Sequence, residues 1–242
     1  MEETGVRINK FIANAGVCSR READRMIADG RVVIDDVVAG PGDRVYSGAK
    51  VKVDGNEINL VADEVVLIFN KPVGIVCTAE EREPDNVIDY IGYPERIYPV
   101  GRLDKDSRGL LILTNMGQLA YEVTRAASGH EKEYEVTVDH PITGQFMIRM
   151  QQGVYLKDLD RTTAPAAVKK TGEKSFSIIL HQGLNRQIRR MCAELGYRVR
   201  DLKRVREMDL TLEGIPEGEY RRLSAKETAE LKGKILRAAP SE

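Results

Sequence analysis

Gly101-Arg102-Leu103-Asp104-Lys105-Asp106-Ser107-Arg108-Gly109 runs directly into the apolar residues 110–113 and then Thr114-Asn115. Two carboxylates stand among three cations in a loop bounded by glycines, beside a strand that could hold it rigidly. An Asp in such a loop is ordinarily a turn former bonded to its own backbone, yet the same setting suits a carboxylate kept ionised by neighbouring Arg. Further strands are predicted at 65–70, 134–138 and 176–180, with helices at 117–125, 145–151, 185–195 and 225–236. That mixture lacks regular βαβ alternation. It predicts an α+β domain with a mixed, mainly antiparallel sheet flanked by helices, not a doubly wound sheet.

Two other segments share the loop's character. Asn70-Lys71-Pro72-Val73-Gly74 follows the strand at 65–70; taken alone it is a plain turn, with Pro setting φ and Gly permitting the reversal. Gln182-Gly183-Leu184-Asn185-Arg186-Gln187-Ile188-Arg189-Arg190-Met191 follows the strand at 176–180 and opens a helix with an apolar face of Ile188, Met191, Cys192 and Leu195. From His181 to Arg206 eight Lys/Arg face Glu194 and Asp201, a net of +6. Such a stretch is either a solvated helix face or an RNA-contacting surface.

The first sixty residues read as a separate unit. Ile8, Phe11, Ile12 and Ala15 mark one face of a short helix that Gly16 stops. Ser19-Arg20-Arg21-Glu22 is a capping box opening a second helix, with Ala23, Met26 and Ile27 inward and Gly30 past its end. Strands are predicted at 32–34, 37–38 and 51–53, broken by Asp35-Asp36, by Gly40-Pro41-Gly42-Asp43 and by Asp54-Gly55. Arg7, Lys10, Arg20, Arg21, Arg25 and Arg31 outnumber Glu22, Asp24 and Asp29, a net of +3. The pattern fits a compact phosphate-contacting surface as well as an ordinary solvated face. A linker is expected near 61–64, giving domains over 1–61 and 65–237, with 238–242 frayed.

Composition narrows the class. A length of 242 predicts one or two domains, and 42% hydrophobic residues suffice for a packed core. Lys+Arg total 37 against 38 Asp+Glu, which excludes a polybasic protein binding nucleic acid by bulk charge but leaves room for local basic faces. Cys18, Cys77 and Cys192 form no CxxC pair, and the three histidines show no zinc-ligand spacing. The N-terminus lacks an apolar signal-type run, and the longest apolar stretches, 65–69 and 110–113, are too short for a bilayer. A soluble cytoplasmic protein, with no membrane partner and monomeric by default, is expected. No P-loop, GxGxxG, HExxH or GxSxG occurs, so nucleotide, dinucleotide, zincin and serine-hydrolase chemistries lose their main support.

Arg-Ile-Asn-Lys-Phe-Ile, Ser-Arg-Arg-Glu-Ala-Asp and Gly-Arg-Val-Val-Ile over about residues 6–53 resemble the α-L RNA-binding domain. Behind it stand Asn-Lys-Pro-x-Gly, Gly-Arg-Leu-Asp and Asn-Arg-Gln-Ile-Arg-Arg-Met, in that order. Together they resemble the ribosomal pseudouridine synthases of the RsuA/RluF type, over nearly the whole chain. Lys-Pro-Val-Gly-Ile-Val, Gly-Arg-Leu-Asp-Lys-Asp-Ser and His-Glu-Lys-Glu-Tyr resemble the RluF branch of that family, whose RNA is that of the large ribosomal particle. Ser107 and Thr114-Asn115-Met116-Gly117 stand where many relatives read Thr and Thr-Asn-Asp-Gly; these departures spare Asp104 and bear on the target uridine.

The resemblance implies isomerisation of a uridine in RNA. The glycosidic bond breaks, the uracil turns in its pocket, and its carbon 5 bonds to the ribose, with no cofactor and no metal. Asp104 is then the catalytic carboxylate, as nucleophile on the sugar or as base, at a site expected to be dry. Arg189 is its charge partner, and Tyr134 stacks on the uracil. Arg102 meets a phosphate or the space the base vacates, Lys71 shapes the site, and Leu202 is an apolar wall. Arg7, Lys10, Arg20, Arg21, Arg25, Arg31, Arg186 and Arg190 are expected to contact RNA. The implied substrate is structured ribosomal RNA, with the large-subunit RNA favoured and a tRNA anticodon-arm uridine as a second candidate. Two rival readings stand beside it: a non-catalytic RNA-binding assembly factor, which needs none of Asp104, Tyr134 and Arg189 together, and a metal-dependent nuclease built on Asp104 and Asp106.

Overall fold

A computed structural model describes residues 5–60, 63–80, 82–125 and 129–238, with side chains to residue 235. The backbone falls into two compact units, one of 1–65 joined by 93–97 and 115–117, the other holding the rest. The linker expected at 61–64 lies half outside the described residues, which resume at Asp63; of the stretch 238–242 only Ala238 is described.

The N-terminal unit begins with β1 (Val6–Arg7), α1 (Ile8–Asn14) and α2 (Arg20–Ala28). Ile8 and Ile12 of α1 and Ala23, Met26 and Ile27 of α2 close one core. Ser19 caps α2 by accepting from the Glu22 amide at 3.2 Å. The reciprocal half of the predicted capping box does not form, because the Glu22 carboxylate accepts from Arg25 at 2.9 Å instead. The strands β2 (Val32–Ile34), β3 (Val37–Val38), β4 (Arg44–Val45), β5 (Val51–Val53) and β6 (Asn56–Ile58) follow. β3-β2-β5-β6 form one antiparallel sheet, and β4 pairs with β1. Asp35-Asp36 and Asp54-Gly55 make its two-residue hairpin turns, all four residues at positive φ as the type I′ geometry requires.

The second unit contains β7 (Val66–Lys71), α3 (Val87–Ile91), β8 (Tyr98–Val100), β9 (Arg108–Thr114), α4 (Gly117–Thr124), β10 (Lys132–Val138) and α5 (Gly144–Gln152). It continues with β11 (Tyr155–Leu156), β12 (Arg161–Thr162), β13 (Ala167–Lys170), β14 (Ser175–Leu180) and α6 (Gln187–Glu194). β15 (Val199–Glu207), β16 (Leu210–Thr211), β17 (Tyr220–Arg222) and α7 (Ala225–Ala238) complete it. Neither α3 nor the long strand β15 is among the predicted elements.

Among the described residues the main sheet has nine strands, ordered β13-β14-β10-β15-β9-β7-β17, with β8 beside β9 and β16 beside β15. Every pairing in it is antiparallel except β15 with β9, which run parallel over Lys203↔Arg108 and Arg204↔Gly109. The α+β expectation therefore holds, with one parallel seam. On the β10 side, Phe146 and Met150 of α5 and Ile188, Met191 and Cys192 of α6 pack with Val136, Phe176, Ile178 and Leu202 into a single core. That packing explains why α6 keeps its apolar face toward the sheet and its arginines elsewhere. Among the described residues no helix is long and apolar enough to cross a membrane.

Candidate active site

The loop between β8 and β9 sits at the parallel seam. Gly109 enters β9 at φ +104, and a Cβ there would lie 2.2 Å from the Arg204 carbonyl oxygen. Only glycine lets β9 pass so close to β15. The loop itself is fastened from below. The Lys71 ammonium, wholly buried, donates to the carbonyls of Ser107 at 2.7 Å, Pro72 at 2.9 Å and Asp104 at 3.3 Å. Burial draws the Lys71 pKa down, and Cys77, Asp106 and Asp104 pull it back up. The Gly74 amide donates to Lys105 O at 2.8 Å, and the Leu103 amide to Cys77 Sγ at 3.3 Å. Asn-Lys-Pro-Val-Gly is thus more than a turn. It is the floor on which the 101–109 loop rests.

Asp104 projects from this loop with its side chain 28% exposed, next to two arginines. The nearer is Arg186, whose Nη1 lies 3.5 Å from Asp104 Oδ2, while Arg189 Nε lies at 3.9 Å. Arg189 is therefore beside Asp104 as expected, but its hydrogen bonds go to the loop: Nη2 donates to Asp106 O at 2.7 Å and Ser107 Oγ at 3.1 Å. The buried Ser107 supplies a hydroxyl acceptor despite departing from Thr. The helix over 185–195 begins later than predicted, at Gln187, because Arg186 takes the left-handed conformation at φ +51. Its fork grips Asp106 through two bonds of 3.1 Å. That bond, then the nearby Arg189 charge, hold the Asp106 carboxyl below the usual carboxylate range against partial burial. The Asp104 side chain is partly buried.

Tyr134 lies opposite Arg204 across β10 and β15. Burial pushes the Tyr134 phenol up, Arg204 opposes that, and the charge of Asp104 is felt there as well. Arg204 is itself buried; its Nε donates to Leu110 O at 2.7 Å and its Nη2 pairs with buried Glu207 at 3.3 Å. Leu202, two residues earlier on β15, is buried in the core beneath the sheet. Arg102 is exposed. Lys71, Asp104, Tyr134, Arg189 and Leu202 come from five separate segments of one unit. Sequence reasoning missed Arg204, Glu207 and Cys77, and gave Asp106 only the nuclease role.

The expected RNA-contacting cations divide. Arg31 forks onto Asp54 at 2.8 and 2.6 Å and Arg25 pairs with Glu22, while Arg7, Lys10, Arg20 and Arg21 have no carboxylate partner among the described residues. Arg190 is bound to Asp158 at 2.7 Å and to Asn185, so its charge is already answered within the unit.

Comparison with known proteins agrees with both units. Residues 6–51 match the S4 domain and residues 65–194 match the RNA pseudouridylate synthase family. The chain is 49% identical, over all of its length and 83% of the relative's, to the dual-specificity RNA pseudouridine synthase RluF of Salmonella typhi. It is 34% identical to ribosomal large subunit pseudouridine synthase B of Bacillus subtilis, covering 93% of this chain and 95% of that one. A crystal structure of a pseudouridylate synthase superposes with a TM-score of 0.68 at 27% identity, over 93% of this chain and 99% of the other. With an S4 domain ahead of an isomerase unit and full-length similarity of this order, the chain belongs to the RNA pseudouridylate synthase family, as an isomerase of the RsuA/RluF type.

Proposed function

We propose that this enzyme isomerises one uridine of large-subunit ribosomal RNA to pseudouridine and accepts a tRNA anticodon-arm uridine as a second substrate. The reading of the target is carried by the 49% identity over the whole chain to a relative named for dual specificity. The ribosomal large-subunit name of the Bacillus subtilis relative supports the same direction. The enzyme works in the cytoplasm as a monomer, without metal or cofactor.

Asp104 is the catalytic carboxylate. Arg186 and Arg189 stand 3.5 and 3.9 Å from its carboxylate, whether it attacks the sugar or removes a proton. Tyr134 stacks on the uracil, an interaction worth roughly 1–3 kcal/mol, which offsets part of the few kcal/mol needed to extrude the base. Arg204 stands opposite Tyr134 in the β10–β15 register, and its positive charge faces the Tyr134 phenol. Lys71 fixes the loop backbone so that Asp104 meets the sugar in one orientation. Arg102, exposed beside Asp104, takes a phosphate or the gap left by the base, and bound RNA completes the exclusion of water. Arg7, Lys10, Arg20 and Arg21 of the S4 unit dock on structured RNA, which presents its uridine from a loop.

Pseudouridine mapping of ribosomal RNA and tRNA, in cells with and without the gene, tests the reading. Deletion removes one ribosomal site and one tRNA site, and complementation restores them with wild type but not with Asp104→Asn. Restoration by the Asn variant would remove Asp104 from the chemistry. An unchanged tRNA would reduce the substrate to ribosomal RNA alone.

A further inference from the structure

Two carboxylates, two residues apart, share two arginines unequally. Asp106 receives both prongs of Arg186 at 3.1 Å and the backbone-directed bond of Arg189 at 2.7 Å, and its Oδ2 lies 3.5 Å from Arg189 Nη1. Asp104 receives only the longer approaches, 3.5 Å from Arg186 and 3.9 Å from Arg189 Nε. That Nε is buried and has no hydrogen-bond partner. A buried N–H without an acceptor is unfavourable and uncommon. It stands about 1 Å beyond the charge-assisted bonding distance of about 2.8 Å to the catalytic carboxylate. The arginine suited to neutralise Asp104 is held just short of it: Nη2 is tied to the loop through Asp106 O and Ser107 Oγ, and Nη1 is drawn to the Asp106 carboxylate at 3.5 Å, the one part of that hold that a change at the Asp106 side chain can release.

The Asp106–Arg186 pair is also the exchangeable part of this cluster. Its side chains are 50% and 42% exposed, so solvent screens the pair and it is weak. A guanidinium fork that grips a carboxylate through two parallel bonds grips a phosphate in the same way. Arg189, only 13% exposed, cannot leave as easily.

We propose that Asp106 is a stand-in for an RNA backbone phosphate. Before RNA binds it occupies the Arg186 fork. When a phosphate of the substrate takes that fork, the Asp106 side chain withdraws, and Arg189 Nε closes on Asp104. Asp106 is thus a positioning residue: it delays full pairing of the catalytic carboxylate until RNA is seated. The proposal rests on the isomerase reading above and names the partner of Arg186 within it.

The test is Asp106→Asn, which keeps the shape and removes the charge. Binding is measured with large-subunit ribosomal RNA from a strain lacking the gene, across a salt series, alongside steady-state pseudouridine formation on the same RNA. The variant should bind about two- to fivefold tighter and lower KM by the same factor, a change larger than any in kcat. The slope of log K against log salt should steepen by up to about one, since no internal carboxylate is released to be resolvated. Inorganic phosphate should compete with RNA more strongly in the variant. In an Arg186→Gln background the substitution should bring no gain. Weaker binding, an unchanged KM and slope, or a gain that survives Arg186→Gln each overturns the proposal, and a purely structural clamp would move KM upward. Conversion by wild type with no Asp106 effect sinks only this proposal. Absence of conversion sinks the isomerase reading, and the binding series still decides the role of Asp106.

Discussion

Asp104 illustrates what a side chain contributes when everything around it is fixed. Asp104→Asn keeps the loop's backbone bonds and removes the charge, so activity should fall by roughly 10²–10⁴-fold or more while the melting temperature stays put. Parallel turnover and thermal-melt measurements check both halves of that statement. Lys71→Met is the opposite case. It strips the ammonium from the buried Ser107 carbonyl and the part-buried carbonyls of Pro72 and Asp104, a buried unsatisfied acceptor costing about 1–3 kcal/mol, so urea unfolding should show a loss of at least that order together with inactivity. The thiols give a third expectation. Burial pushes Cys192 up to about 12 and raises Cys77 as well, so neither should react with a thiol reagent at pH 8 until the protein is unfolded. Rapid native labelling of either would contradict the packing. At this scale Asp104, Arg189 and Tyr134 could be singled out as candidates because each lies in a short motif. Lys71 was expected to shape the site, but its bonds to the loop carbonyls and that of Arg204 to Leu110 O could not be read, because those partners lie 33 to 94 residues away in the chain and no local pattern records that.

Helices and strands were legible where apolar residues repeat and obscure where buried groups are charged. The predicted helices α4, α5, α6 and α7 all form, within about two residues at each end. β15 escaped because its inward positions include Arg204 and Glu207, which pair with each other in the interior and so hide the apolar alternation of a strand. Capping shows the same lesson in reverse. The box read at Ser19 forms only its first half, whereas Ser224 and Glu227, the ends of a four-residue stretch with the same pattern, bond reciprocally at the start of α7. The Ser224 bonds and the single Arg221 bond bring Glu227 down to about 2. A depressed carboxyl stabilises the fold above its unfolded value and loses that effect as pH falls through its folded one. The contribution of Glu227 should therefore vanish between about 4.5 and about 2. Thermal melts from pH 7 to 2 should fall less steeply for Glu227→Gln than for wild type across that window. Gly109→Ala tests the seam directly. With φ at +104 and a Cβ 2.2 Å from Arg204 O, it should cost roughly 3 kcal/mol or more in urea unfolding.

For the molecule as a whole, near-neutral composition conceals a partition of charge. Carboxylates answer Arg25, Arg31, Arg186 and Arg190 internally, leaving Arg7, Lys10, Arg20 and Arg21 of the S4 unit without such partners among the described residues. Replacing Arg20 and Arg21 together by Gln should weaken RNA binding and flatten its salt dependence by up to about two. The same change at Arg31 should do less, because Asp54 already holds it. Filter binding over a salt series distinguishes the two. Domain order and fold class could be read from the chain because each unit carries its own periodicity; which cations stay available could not, because pairing is settled only when distant segments meet.

The parallel seam between β9 and β15 has one more consequence. Strands β7, β8, β9 and β17 lie on one side of it, and β10, β13, β14, β15 and β16 on the other. The chain crosses once after α4 and returns after β16, so the second group is an insert within the first. Asp104 and Lys71 belong to the host, whereas Tyr134, Arg189 and Arg204 belong to the insert. The register that joins them spans only two residue pairs. Under the roles proposed above, catalysis is therefore a property of the joint and of neither half. Under graded denaturation, turnover should disappear when the two half-sheets part, while slow amide exchange persists within each of them.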